Sequence, residues 1–241
     1  MLTEDALLGG RVKLFQPRDG LRAGHDAVLL AAAVPARPGD RVLELGCGSG
    51  AAFLCLAARV PGLAIVAVER EAELAELARE NAARNGLAES VTVISGDVAD
   101  PALRRALPAC AHGFANPPFW PAGTAPPAAL RSAATHSVEA GLEDWSGCLA
   151  AALRYRGTAT LVLPAARFAD GLAALAGSGF GSPAILPLWP RAGSEAKRVL
   201  IAARAGGRGP GRILPGLTLQ DAEGPSRAAE AILRDGAALP L

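Results

Sequence analysis

Short apolar runs alternate with amphipathic stretches along most of this chain. Val42 to Leu45, Leu63 to Val68, Val91 to Ile94, a weaker His112 to Ala115, Thr158 to Leu163, Pro183 to Leu188 and Arg198 to Ala203 read as buried strands. Helix-compatible segments fall between them: Ala51 to Arg59, Glu71 to Asn85 with Leu74, Leu77 and Ala78 on one face and Gly86 as its stop, Asp144 to Tyr155, and Ala165 to Leu175. Upstream, Arg11 to Phe15 alternates like a pairing strand, Pro17 to Gly20 is turn-prone, and Asp26 is placed to N-cap an apolar helix through Ala33. Downstream, a Gly/Pro-rich stretch from Gly206 to Gly211 leads to a short strand, Ile213 to Leu219, and a helix, Ser226 to Arg234.

Repeated strand and helix units predict an α/β fold: a doubly wound, Rossmann-like, seven-stranded and mostly parallel sheet with helices on both faces. Only Trp189 to Lys197 separates the last two strands, too little for a crossover helix, so they form an antiparallel pair at one edge. The expected organisation is one structural domain. Residues 1–40 precede the central loop, 41–205 form the core, and 206–241 are an extension packed on it. Residues 120–143, rich in Pro, Ala, Gly and Thr and without a period, read as an exposed loop or lid.

Composition narrows the class. Hydrophobic residues make up 51%, much of it alanine, and charges interrupt every apolar run, so no membrane span is expected. Met1 to Asp5 lacks the basic start and apolar core of a secretory leader, and a cytoplasmic protein is expected. Twenty-four basic against 23 acidic residues leave a net charge of +1, so any nucleic acid would be met by a local patch and not by a global field. Cys47, Cys55, Cys110 and Cys148 show no metal-ligand spacing with one another or with His25, His112 and His136; they read as buried thiols, and no metal is expected.

The candidate chemistry starts at Arg41 to Gly50, where a buried strand runs into Gly46-Cys47-Gly48-Ser49-Gly50 and then a helix. A strand, glycine turn and helix in that order gather backbone N–H groups around a concavity suited to a nucleotide-like ligand. Three acids stand at strand ends: Glu44 in the first, Glu69 after the second, Asp97 after the third. Glu69 has the spacing of a carboxylate that accepts from ribose hydroxyls, and Asp97 could meet an adenine amino group. The glycines alone also pass as a variant nicotinamide-dinucleotide fingerprint.

Asn116-Pro117-Pro118-Phe119, after the fourth strand, separates these readings. With Glu44-x-Gly46-x-Gly48-x-Gly50, the tetrad resembles the class I S-adenosylmethionine-dependent methyltransferases that modify amino groups. The resemblance, over roughly residues 10–205, implies S-adenosylmethionine as cofactor. Glu44 would then face its amino group, Glu69 its ribose and Asp97 its adenine, with Asp26, Cys47, Arg70, Val98 and Asn116 completing the binding wall. The tetrad makes physical sense beside it. A conjugated amine is a poor nucleophile because its lone pair is delocalised. The Asn116 oxygen and Pro117 carbonyl can accept both N–H hydrogens, the prolines fix those acceptors, and Phe119 offers a stacking face.

Within that class the sequence resembles bacterial enzymes that N6-methylate an adenine in the anticodon loop of a valine tRNA. Phe15-Gln16-Pro17, His25-Asp26 with the apolar run after it, the tetrad and Leu217-Thr218-Leu219 carry the likeness. It implies an RNA partner, with Trp120, Arg131, His136, Arg191, Lys197 and Arg198 as candidate substrate contacts. The proline-rich, weakly basic segment after Phe119 departs from that pattern. Ribosomal RNA guanine, DNA or a protein glutamine amide stay open as substrates. A nicotinamide-dependent oxidoreductase or a non-catalytic module leaves the tetrad unexplained.

Overall fold

The computed structural model describes residues 1–18, 22–118 and 140–241. An N-terminal hairpin, β1 (Leu2–Leu7) and β2 (Val12–Pro17), precedes helix α1 (His25–Ala33). Strands β3 (Arg41–Leu45), β4 (Ala64–Glu69), β5 (Val91–Ser95) and β6 (Cys110–Ala115) then alternate with α2 (Ala51–Arg59), α3 (Ala72–Arg84) and α4 (Pro101–Ala106). After α5 (Leu142–Ala152) come β7 (Leu153–Pro164), α6 (Phe168–Gly177), β8 (Phe180–Arg191) and β9 (Arg198–Ala205). Two short strands, β10 (Arg212–Ile213) and β11 (Leu217–Gln220), and α7 (Arg227–Leu233) end the chain.

Seven of these strands lie in the order β5-β4-β3-β6-β7-β9-β8, all parallel except β9, which runs against both β7 and β8. The sequence expectation of a mostly parallel sheet with an antiparallel pair at one side therefore holds. β10 and β11 add to β8 in parallel, so the C-terminal segment widens this edge to a nine-stranded sheet. The expected single strand over 213–219 is these two pieces, broken by Pro215 and by Gly216 at φ 88°.

Alternation along the strands splits the core. Val42, Ile65 and Ala67 pack with α1, α2, α3 and α7; Leu43, Leu45, Val66 and Val68 pack with α4, α5 and α6. Both faces are covered, and each fully buried Leu or Phe contributes about 1.5–3 kcal/mol relative to exposure. Period-two alternation puts Glu44 on the α2 side, where it is 4% exposed.

Two asparagines dock the N-terminal hairpin. Asn85 accepts from the Lys13 N–H and donates to its carbonyl; Asn81 does the same with Phe15, all at 2.7–3.0 Å. Four residues of helix rise about 6 Å and two of strand about 6.6 Å, so the i, i+4 pair matches the i, i+2 pair. Asn81 and Asn85 thus replace a neighbouring strand. Arg84 closes the contact over the Phe15 ring at 4.3 Å.

Several boundaries differ from expectation. Asp26 is not the cap of α1: Gly24 holds that position without a side-chain bond, and Asp26 lies in the first turn. The helix expected over 144–155 stops at Ala152, and Leu153 to Tyr155 open β7. Leu153 pairs with Cys110, and an irregularity with Arg156 at φ 64° follows before regular pairing begins at Thr158. Among the described residues no helix is long and apolar enough to cross a membrane.

Candidate active site

Register sets the level of each candidate residue. Leu45 lies opposite Val68 on one side and Ala115 on the other, and Glu69 lies opposite Ser95. One residue further on, Gly46, Glu69, Asn116 and Ser95-Gly96 stand together at the carboxyl ends of four adjacent strands. This is where ligands of open α/β sheets bind.

The glycine loop needs its glycines for different reasons. Gly46, Gly48 and Gly50 have φ of 65°, 55° and 95°. A Cβ at Gly46 would stand 2.5 Å from the Trp145 ring, and one at Gly50 the same distance from Phe53. At Gly48 it would meet nothing within 4 Å, so that face of the loop is open. The loop's N–H groups are more committed than its sequence suggests. Those of Cys47, Gly48 and Gly50 donate to the Val68 carbonyl, the Glu69 carboxylate and the Cys47 carbonyl. These three donors of the loop are therefore engaged in holding the turn.

Glu69 is the clasp. One oxygen accepts from Gly48 N–H at 2.7 Å and the other from Glu71 N–H at 3.0 Å, while its own carbonyl accepts from Gly96. Each carboxylate oxygen keeps a second lone pair for a hydroxyl donor. Glu44 is the opposite case. Burial pushes its carboxyl well above the ordinary range, with nearby Glu69 adding to this and the Phe53 N–H opposing it. Among the described residues its Oε2 has no hydrogen-bond partner. A buried carboxyl with one unpartnered oxygen, next to an open glycine face, would be held ionised by a cationic ligand group, and these residues fit a cofactor that carries an ammonium and a ribose.

Beyond Glu69, Arg70 approaches Glu71 at 3.2 Å and Asp97 at 3.9 Å. Asp97 also accepts from the Ala99 N–H. Val98 is buried, and its carbonyl accepts from Arg104, which also bonds Asp144 of α5. Cys47 is buried, its thiol held protonated by desolvation; Cys55 is pushed up to about 12 and Cys110 and Cys148 to about 11. All four are free cysteines, as read from their spacing.

Asn116 and Pro118 are exposed and Pro117 is buried, so the tetrad leaves the sheet with its asparagine at the surface. Phe119, Trp120, Arg131 and His136 lie outside the described residues. Arg191, Lys197 and Arg198 lie in the β8–β9 hairpin at this same end of the sheet. Arg198, a candidate substrate contact, donates from its Nε to Asp26 at 2.8 Å, which joins it to a residue assigned to the cofactor wall.

Two polar residues have structural roles that the sequence reading did not assign. Asn81, fully buried, also donates to the Ser49 carbonyl and so joins the N-terminal hairpin to the glycine loop. Its signal was a polar residue on the apolar face of α3. Gln16, 3% exposed, bonds Asp5 and the Ala23 N–H, fixing the approach to His25 and Asp26.

The strand order, the acid-flanked glycine loop and the Asn-Pro-Pro sequence at the fourth parallel strand define a class I S-adenosylmethionine-dependent methyltransferase. The family model described as the methyltransferase small domain matches residues 22–140. A tRNA1(Val) (adenine(37)-N6)-methyltransferase from Dickeya chrysanthemi is 31% identical over 194 residues, 79% of this chain and 75% of that protein. Its counterpart from Aeromonas hydrophila is 33% identical over 187 residues, 76% and 77% of the two chains. Among solved structures, a predicted O-methyltransferase from Agrobacterium tumefaciens superposes with a TM-score of 0.73 at 28% identity, covering 90% of this chain and 99% of that one. The chain belongs to the family of bacterial tRNA1(Val) (adenine(37)-N6)-methyltransferases.

Proposed function

We propose that this enzyme methylates the N6 amino group of an adenine in the anticodon loop of a tRNA. The observation that carries this is the register placing Asn116 level with Gly46 and Glu69, one strand from the cofactor loop. The relatives above, whose names specify tRNA adenine N6, support the choice of substrate.

Bound at the glycine loop, S-adenosylmethionine supplies an electrophilic methyl carbon on a positively charged sulfur. Glu44 would hold its ammonium, Glu69 would offer its remaining lone pairs to the ribose, and Asp97 with Val98 would border the adenine. Gly48 presents no side chain, which lets the ligand approach the backbone. The Asn116 side-chain oxygen and Pro117 carbonyl accept the two N–H hydrogens of the target amine and turn its lone pair toward the methyl carbon. The cofactor would supply the methyl group and its sulfonium sulfur would take the released electron pair, while the target nitrogen would shed its surplus proton to solvent. Positioning and charge placement lower the barrier, and no strong base is needed. Arg191 and Lys197, with the Asp26–Arg198 pair, would meet the substrate from the β8–β9 hairpin at this end of the sheet.

The direct test is Asn116→Ala beside Asn116→Asp, with cofactor binding and methyl transfer measured separately. The alanine variant should lose transfer by about 10²–10³, as for other single groups placed for a transition state, far more than either variant loses in affinity for S-adenosylmethionine. Unchanged transfer in Asn116→Ala would remove the tetrad from the mechanism.

A further inference from the structure

At the end of the sheet opposite the glycine loop, three segments surround an open hollow of about 390 Å³. They are Tyr155-Arg156 near the start of β7, Ser182 in the irregular part of β8, and Arg204 to Gly209 at the end of β9 and just beyond it. The backbone here is unusual. Among the described residues only three non-glycine residues have positive φ, and Arg156 at 64° and Ser182 at 52° are two of them. Such conformations persist only where the surroundings enforce them. The Gly209 N–H donates to Ser182 Oγ at 2.7 Å, and a Cβ at Gly181 would stand 2.1 Å from the Gly207 carbonyl oxygen. Tyr155 is 78% exposed and lies over Gly206, where a Cβ would be 2.8 Å from its ring.

Arg156, Arg204 and Arg208 are exposed around this ring, and none reaches a carboxylate within salt-bridge distance among the described residues. Arg154 next door shares Asp40 at 3.7 Å. In a chain of net charge +1 this is a local concentration of positive charge. Guanidinium groups are donor forks suited to phosphate oxygens, and an open aromatic face accepts any base. An acidic peptide would meet the charge but leave the ring without a planar partner.

We propose that this hollow binds the phosphodiester backbone of the RNA substrate away from the reacting base, with Arg156, Arg204 and Arg208 on phosphates and Tyr155 under a base or ribose. The proposal rests on the tRNA reading above. Arg198 and Arg204 lie six residues apart on β9, about 20 Å at the usual strand rise, so one RNA would contact both ends of the sheet. Readers of double-stranded RNA cover comparable or longer spans, about 16 base pairs.

The test titrates labelled, unmodified tRNA against the parent, Arg204→Gln/Arg208→Gln, Arg204→Lys/Arg208→Lys and Tyr155→Ala, from about 50 to about 200 mM salt. Cofactor binding and methyl transfer are followed in parallel. The glutamine pair should flatten the log–log salt slope by about two, one for each phosphate no longer neutralised, and raise KM at unchanged kcat and cofactor affinity. The lysine pair should keep most of the slope, and Tyr155→Ala should weaken binding with the slope retained. A slope and affinity unchanged in the glutamine pair, with transfer intact, would overturn the hollow alone. Parent protein that binds tRNA with the arginine-dependent slope yet deposits no methyl would overturn the substrate reading and leave the hollow standing. A parent that binds no tRNA would overturn both.

Discussion

Replacing Glu44 by glutamine should stabilise the empty protein and weaken its cofactor binding. Glu44 is 4% exposed, its Oε2 lacks a partner among the described residues, and Glu69 repels its charge. Its folded pKa is raised above the unfolded value, so the native state holds the proton more tightly. That contribution is present at low pH and is lost as pH rises through the folded pKa. Glutamine keeps the shape and stays neutral throughout. A buried, unsatisfied polar group costs about 1–3 kcal/mol, and more when charged. For a chain of this size 1 kcal/mol shifts Tm by about 2–4 °C. Glu44→Gln should therefore melt roughly 2–12 °C above the parent where Glu44 is ionised, the gap closing as pH falls through the raised folded pKa. Against an ammonium, losing a charge-assisted bond of about 1.5–3 kcal/mol weakens S-adenosylmethionine roughly 10- to 100-fold. Thermal melts across pH, with and without cofactor, and calorimetric titration read both effects. A variant less stable than the parent at pH 8, or a gap independent of pH, would show that Glu44 is not a destabilising buried charge.

Three further outcomes follow from the same geometry. Gly46→Ala should cost about 2–4 kcal/mol in urea unfolding, combining left-handed backbone strain with displacement of the Trp145 ring, whereas Gly48→Ala, with open space around it, should cost only about 1–2. Asn81→Ala should cost about 1–3 kcal/mol, because it strands the Phe15 and Ser49 backbone groups, and should speed hydrogen exchange in β2 and the glycine loop together. Burial lowers the pKa of His112, with Asp40 opposing, so its share of stability is present above about 6.5 and is lost as pH falls. His112→Gln should flatten that part of the Tm–pH curve, and an unchanged curve would count against it.

β3 and β4 were legible because strands buried on both faces are continuous apolar runs, whereas β5 and β8, only partly buried, were read from short apolar stretches bounded by turn residues. β1 was not, since Leu2 to Leu7 alternates with half-exposed polar residues and its partner is supplied by a turn. The end of α5 was misplaced for want of a breaker before Gly157; Leu153 leaves the helix because it pairs with Cys110 forty-three residues earlier in the chain. Glu44, Glu69 and the glycines could be placed at the site from strand-end spacing alone. Their hydrogen bonds could not, because whether an N–H meets a ligand or the Glu69 carboxylate depends on β4 lying beside β3. For the same reason the Arg198–Asp26 pair could not be read, because Asp26 is on an element that only the fold brings near.

Methylation of adenine N6 in tRNA is decided by transferring labelled methyl groups from S-adenosylmethionine to tRNA lacking the modification, followed by nucleoside analysis. Label is expected as N6-methyladenosine with the parent enzyme and should be absent with Asn116→Ala. Label on a ribose oxygen, on guanine or only in protein would contradict the assignment.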